Sequence, residues 1–195
     1  MRICVISYNY PGCFDSIDGA FVKQFVEALA KRGNDCVVVS PYNVNHYKKY
    51  SPSQEKVLIG KGSVSVYRPW YVSFSNLTLF GHRVSGIAYR RAVNKALQRM
   101  KIQPDVVYGH FWGIAFEGYD YALKRNIPFF VASGESEITF RRTKKTEGFC
   151  DYVKGVICVS TKNKIESVSL ELTAPEKCLV APNAINNSLF KVIEK

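Results

Sequence analysis

Short apolar runs, each about a strand long and separated by stretches with helical spacing, constrain this chain more than any other feature. After Pro104 the alternation is regular. Val106-Val107-Tyr108 reads as a strand, Ile114 to Lys124 as a helix, and Pro128 to Ala132 as the next strand. A basic segment, helical or irregular, runs to Tyr152. Val156 to Val159, Thr161 to Leu172 and Cys178 to Val180 then follow as strand, helix and short strand. The opening obeys the same rule. Ile3-Cys4-Val5-Ile6 is a buried strand, and Phe21, Val22, Phe25, Val26 and Leu29 form a helical stripe. Asp18 suits that helix's N-cap and Gly33 its C-terminal stop. Cys36 to Val39 is the second strand. Buried strands joined by helices predict an α/β fold, a Rossmann-like, doubly wound and mainly parallel sheet flanked by helices.

The stretch between the two regular halves is less ordered in pattern. Tyr42 to about Lys56 is polar and reads as a surface loop; Val57-Leu58-Ile59 and Ser63 to Tyr67 read as strands around Gly60-Lys61-Gly62. An aromatic run holds Trp70, Tyr71, Phe74 and Phe80. A helix from about His82 to Lys101 would turn Val84, Ile87, Val93, Ala96, Leu97 and Met100 inward. At 195 residues the chain suits one domain. Its six cysteines form no C-x-x-C pair and have no histidine close in sequence, so no metal site is expected. Cys4, Cys36, Cys158 and Cys178 lie in or beside apolar runs, which favours buried free thiols and a reducing compartment. The chain starts without a secretory leader pattern, and no run nears the ~18 apolar residues that span a bilayer. A cytoplasmic protein is expected, or one peripheral on the inner face of the cytoplasmic membrane. The formal charge of +11 admits three partners: nucleic acid, an anionic membrane, or a phosphorylated small molecule.

Two common phosphate motifs are missing. The loop Ser7-Tyr8-Asn9-Tyr10-Pro11-Gly12-Cys13 contains no G-x-G-x-x-G, and no G-K-[ST] occurs in the chain, which demotes dehydrogenase and NTPase readings. Asp18-Gly19 at a helix start remains, where a glycine would let a phosphate or sugar reach the backbone amides; it reads equally as a tolerated first-turn glycine. Ligands of open α/β sheets sit beyond the carboxyl ends of the strands. That rule selects Tyr8, Asn9, Tyr67, Arg68, His110, Ser133 to Glu137, and Ser160. His110 directly follows its strand, as a candidate polar group or a structural histidine. Gly134-Glu135-Ser136, with Glu137 beside it, offers carboxylates and a hydroxyl to a sugar, or simply an acidic helix entry.

The order of these segments resembles the N-terminal domain of glycosyltransferase family 4, retaining enzymes of GT-B fold. Pro104-Asp105-Val106-Val107-Tyr108-Gly109-His110 is similar to that family's P-D-V-V-H-A-H strand, and Ile127-Pro128-Phe129-Phe130-Val131 to its I-P-x-V strand. Asp18-Gly19 and Gly33-Asn34-Asp35-Cys36-Val37 resemble its Gly-Gly and G-H-x-V elements, and Val156 to Ser160 its "vi-x-vS" segment. Glu176-Lys177-Cys178-Leu179-Val180-Ala181-Pro182-Asn183-Ala184-Ile185-Asn186, with Phe190 after it, resembles E-K-V-x-V-I-P-N-G-V-D-x-x-x-F. Two departures stand out. Asp18 replaces the first glycine of the pair, and Gly134-Glu135 replaces a His-Gly whose histidine contacts the donor sugar.

The resemblance implies one acceptor-side domain over residues 1–195, with a nucleotide-sugar-binding domain beyond it and little activity for this half alone. The implied reaction moves a sugar, with retention, from a UDP- or GDP-linked donor to a glycan or lipid-linked acceptor, without a separate cofactor. His110 and Glu135 are the catalytic candidates, His110 in a binding or polarising role. Tyr8, Asn9, Asp18, Gly19, Arg68, Ser136, Glu137 and Ser160 are the substrate-binding candidates. Arg91, Lys95 and Arg99, a second cluster at Arg141, Arg142, Lys144 and Lys145, and the aromatics Trp70, Tyr71 and Phe74 would suit an anionic membrane surface, or merely a solvated face. The rivals are a non-catalytic acceptor- or membrane-binding subunit of a split transferase, a basic nucleic-acid-binding α/β module, and a sugar-nucleotide epimerase. Nucleic acid is not expected, because no recognition motif accompanies the charge.

Overall fold

Ile3 and Val5 alternate with Cys4 and Ile6, so the first strand buries both of its faces, as a central parallel strand must. The computed structural model describes residues 1–12, 19–44, 53–73, 78–79, 82–100 and 103–183. In chain order the elements are β1 (Arg2–Ile6), α1 (Ala20–Lys31), β2 (Asp35–Val39), β3 (Tyr42–Asn43), β4 (Gln54–Ile59) and β5 (Gly62–Tyr67). Then come β6 (Trp70–Tyr71), β7 (Thr78–Leu79), β8 (His82–Arg83), α2 (Val84–Arg99), β9 (Val106–His110), α3 (Trp112–Ala115) and α4 (Tyr119–Lys124). The last are β10 (Phe129–Ser133), α5 (Glu147–Tyr152), β11 (Gly155–Cys158), α6 (Thr161–Ser169) and β12 (Cys178–Val180).

Eight strands form one sheet in the order β12-β11-β10-β9-β1-β2-β5-β4. Every pairing is parallel except β4 on β5, a hairpin turned at Gly60 and Lys61. The Rossmann-like α/β expectation is therefore met. The order reverses at β1, whose neighbours are β2 and β9, and this switch point opens the crevice that such sheets use for ligands.

Helix α1 covers one face with Val22, Val26 and Ala30, fully buried at four-residue spacing. Each valine contributes about 2 kcal/mol by leaving water. Helix α2 covers the other face with Tyr89, Ala92, Val93, Ala96 and Leu97, packed near Ile6, Val39 and Val107. Ile87, expected inside, is 38% exposed, because it lies on the opposite side of the helix from buried Ala96.

Several boundaries depart from the sequence reading: the stretch read as a loop from Tyr42 to about Lys56 begins with β3 and ends inside β4, which starts at Gln54. The segment from Ile114 to Lys124 is not one helix. A 3-10 turn at Phe116–Gly118 separates α3 from α4, where Gly118 lies so close to Ile6 that a side chain would collide. The last helix stops at Ser169, not Leu172. Glu171 takes the left-handed conformation (φ 55°) and Leu172 folds back, its N–H donating to the Ser167 carbonyl at 3.0 Å. Of the two forms left open for the basic segment, residues 134–146 take the irregular one; Phe140 stacks on Trp112 and Ile138 is wholly buried, so the stretch is packed down as irregular chain. Cys4, Cys36 and Cys158 are buried free thiols as expected, while Cys178, on an edge strand, is half-buried.

Candidate functional site

The carboxyl ends of β1, β9 and β10 bring together Tyr8, Asn9, His110, Phe111 and Gly134-Glu135. His110 ends β9 at 5% exposure. Its ring meets Phe21 at 5.0 Å and Phe111 at 5.0 Å, and Tyr108 edge-on at 6.0 Å. Burial in this aromatic shell pushes its pKa down to about 4, so the imidazole is neutral at neutral pH. Its Nδ1 is buried with no hydrogen-bond partner among the described residues.

The next residue is backbone-strained. Phe111 has φ 70° and ψ 144°, a region a bulky side chain rarely adopts, at a cost of about 1–3 kcal/mol. Three hydrogen bonds hold it there. Its N–H donates to the Ala132 carbonyl at 2.8 Å, its carbonyl accepts from the Ala115 N–H at 2.8 Å, and the Trp112 N–H donates to Glu135 Oε1 at 2.7 Å.

Glu135 is the anchor of the site's far wall. Oε2 accepts from the Gly134 N–H at 2.9 Å and from Ser133 Oγ at 3.2 Å. Ser167 Oγ bridges to Ser133 Oγ at 3.3 Å and accepts from the Trp112 indole N–H at 3.2 Å. The polar atoms of Trp112, Ser133 and Ser167 thus form a ring closed on one carboxylate. Burial raises the Glu135 pKa and these donors oppose that rise. With both oxygens engaged by the protein, Glu135 positions the β9 and β10 ends.

The substrate-binding candidates divide in the same way. Tyr8 is half exposed, with its hydroxyl 3.5 Å from that of Tyr71. The Asn9 carbonyl accepts from Ser7 Oγ at 2.8 Å and lies against Gly19 (φ 75°), where any Cβ would collide with it. The space that Gly19 offers is therefore filled by this chain's own backbone. Asp18 lies outside the described residues. Arg68 is 4% exposed and donates to the Pro11 carbonyl at 3.0 Å and Glu55 at 2.9 Å, bracing the loop after β1 from beneath. Ser160 caps α6, its Oγ accepting from the Asn163 N–H at 3.1 Å. Ser136 and Glu137 are exposed; the Ser136 carbonyl accepts from Lys162 Nζ at 2.7 Å.

Sequence reasoning missed Phe111, Trp112, Ser133's partner Ser167, and Asn163, whose side-chain amide donates to the Glu135 carbonyl at 2.8 Å. Polar residues within α6 gave the signal: Asn163 and Ser167 lie four apart on one face and are buried, and buried polar groups need partners. The anionic-surface reading is partly corrected. Tyr71 is 7% exposed, Phe74 lies outside the described residues, Arg142 pairs with Asp151 at 2.8 Å, and Arg141 donates to the carbonyls of Ile138 and Phe140. Among the described residues no three His, Cys, Asp or Glu side chains converge as a metal site, and no helix is long and apolar enough to cross a membrane.

Comparison with known proteins decides the family. The model of glycosyltransferase family 4 matches residues 19–189, nearly the whole chain. The chain belongs to glycosyltransferase family 4. No curated protein matches the sequence closely. Among solved structures, sucrose-phosphate synthase from Thermosynechococcus elongatus superposes with a TM-score of 0.63 at 12% identity, over 98% of this chain and 50% of that one. Arabidopsis thaliana UGT89C1, complexed with UDP-L-rhamnose, gives 0.53 at 11% identity, over 95% and 53%. UDP-N-acetylglucosamine 2-epimerase from Rickettsia bellii gives 0.54 at 12% identity, over 94% and 45%. These likenesses establish the Rossmann-like fold shared with GT-B glycosyltransferases. The family 4 chain spans about half the length of each of these structures.

Proposed function

We propose that this family 4 chain is the acceptor-side half of a two-domain glycosyltransferase, one that moves a sugar from a UDP- or GDP-linked donor to a glycan or lipid-linked acceptor with retention. The observation that carries the reading is His110: a buried, neutral imidazole at the switch point of the sheet, with Nδ1 unpaired among the described residues. A buried polar atom without a partner costs about 1–3 kcal/mol, which a ligand hydroxyl would offset. Family membership supports sugar transfer as the chemistry.

In this reading a second domain holds the nucleotide and closes on the crevice, excluding water and aligning acceptor with donor. His110 accepts or donates one hydrogen bond to a sugar hydroxyl; its neutrality suits polarisation rather than proton delivery. Glu135, through Trp112 and Phe111, fixes the turn that carries His110. Tyr8 lines the acceptor side. No metal and no separate cofactor enter.

The test uses the protein from the complete reading frame, incubated with labelled UDP- and GDP-sugars and with glycan and lipid-linked acceptors. Transfer is followed by the label, and the product's anomeric configuration by NMR. The reading requires transfer with the donor's anomeric configuration kept. Inverted product refutes retention. An epimerised sugar nucleotide with no transferred sugar refutes the transferase reading altogether.

A further inference from the structure

Among the described residues, the sheet beside α2 is left open. The helix crosses the β1 and β2 side of its face, and the stretch over β5 and β4 forms a groove of about 1290 Å³. Its floor mixes polar and apolar side chains: Ser63, Ser65 and Tyr67 of β5 line it beside Val37 of β2, with Lys56 of β4 along the far side. On the helix side the wall is made of small residues, Ala88, Ala92 and Ala96, which leave the space free.

Arg91, Lys95 and Arg99 stand above that wall at four-residue spacing, which places successive cations about 6 Å apart along the helix. All three are exposed, and none makes an ion pair among the described residues. Asp35 is the one acid among the lining residues, and it is engaged, accepting from Ser63 Oγ at 2.6 Å. Among the described residues the lining therefore carries an excess of cations over its single carboxylate, unlike the Arg90 side of the same helix, where Glu117 pairs at 2.5 Å.

The groove also leads to the candidate site. Helix α2 runs antiparallel to the strands, so the row of cations descends from the carboxyl edge towards Arg2 at the amino edge. At the upper end Tyr71 lines the groove and its hydroxyl lies 3.5 Å from that of Tyr8. Trp70 stands at this mouth, 63% exposed.

We propose that this groove binds the trailing part of a glycan acceptor whose sugars carry anionic groups, with Arg91, Lys95 and Arg99 reading the anions and Trp70 stacking on a sugar ring. The proposal names the acceptor class for the function proposed above and rests on that reading for the word acceptor. A guanidinium pairs bidentately with carboxylate or phosphate, and half-buried Ser65 supplies a hydroxyl for sugar, while the Ser63 hydroxyl is held by Asp35. Charge complementarity favours this occupant over a neutral glycan. A trough lined with serine and alanine favours a threaded chain over a flat lipid surface.

The chain has two tryptophans, and Trp112 is wholly buried, so a change in intrinsic fluorescence on binding reports Trp70. The chain of residues 1–195 is titrated at low salt with hexagalacturonate, with neutral maltohexaose, and with phosphatidylglycerol vesicles. The expected result is saturable quenching by hexagalacturonate alone, absent in Trp70→Phe. Binding falls at least about tenfold in the Arg91→Gln/Lys95→Gln/Arg99→Gln variant, and is lost near 1 M salt, where the screening length falls to about 3 Å. Lys144→Gln/Lys145→Gln, two exposed cations elsewhere, leaves binding unchanged. Thermal unfolding of each variant shows that the fold is kept; the three groove substitutions are at exposed positions, and each single variant serves if the triple one unfolds. Equal binding of maltohexaose, or vesicle binding that depends on the same three residues without oligouronate binding, overturns the proposal. So does no binding at all. Because the readout is binding, failure of the groove and failure of sugar transfer are seen in separate experiments.

Discussion

His110 illustrates how much one side chain's meaning depends on its surroundings. The sequence placed it directly after a strand, and that alone left a structural histidine somewhat favoured over a functional one. The structure adds the aromatic shell, the depressed pKa and an Nδ1 with no partner among the described residues. A pH dependence follows. The folded pKa of about 4 lies below the ordinary 6.5, so above pH 6.5 the residue is neutral in both states and its contribution is fully present. As the pH falls from 6.5 to 4 the unfolded chain takes a proton that the folded one refuses, and roughly 3 kcal/mol of stability is lost. Urea unfolding at stepped pH should show this slope in the wild type and lose that part of it in His110→Asn; identical slopes would show that the imidazole is not held neutral. Glu135 makes a second case. Glu135→Gln keeps the shape but must face two backbone N–H groups and a serine hydroxyl with an amide. The expected cost is about 2 kcal/mol by urea unfolding, with a changed near-UV signal from Trp112. No change would mean that the ring of hydrogen bonds is not what holds the turn.

At the scale of elements, the strands were legible because parallel strands buried on both faces must be short and apolar. β1, β2, β9 and β11 each announce themselves that way. What escaped was set by contacts between distant residues. The break between α3 and α4 coincides with the close approach of Gly118 to Ile6, more than a hundred residues away in the chain. The early end of α6 comes from a left-handed Glu171, where the usual glycine signal is missing. Arg68 and Ser160 were selected by the strand-end rule, which finds the right edge of the sheet but cannot tell a ligand contact from a brace or a cap. Ser160 gives a clean check, since its side chain caps α6. Ser160→Ala should cost about 1 kcal/mol in thermal or urea unfolding. If α6 is equally stable without the hydroxyl, the capping role assigned from the geometry is wrong and a ligand role regains its place.

For the whole molecule, the sheet order puts two different faces to use. The carboxyl edge gathers His110, Tyr8 and the strained Phe111 turn at the switch point. The face beside α2 collects an excess of positive charge, part of the +11 that sequence alone could not assign to a partner. The family was legible from the order of motifs, and the match over residues 19–189 bears it out. Which of the strand-end residues meet a ligand was not legible, because that depends on which polar atoms the fold leaves unpaired. The account rests on His110 being such an atom at the acceptor-side face of a transfer centre. The direct measurement is the rate of sugar transfer by the complete protein, wild type against His110→Ala, with unfolding curves taken alongside. The account predicts a fall in kcat/KM of about a hundredfold or more while the variant remains folded, the loss expected for a group that stabilises charge or position at the reacting centre. Transfer at the wild-type rate by folded His110→Ala would contradict it.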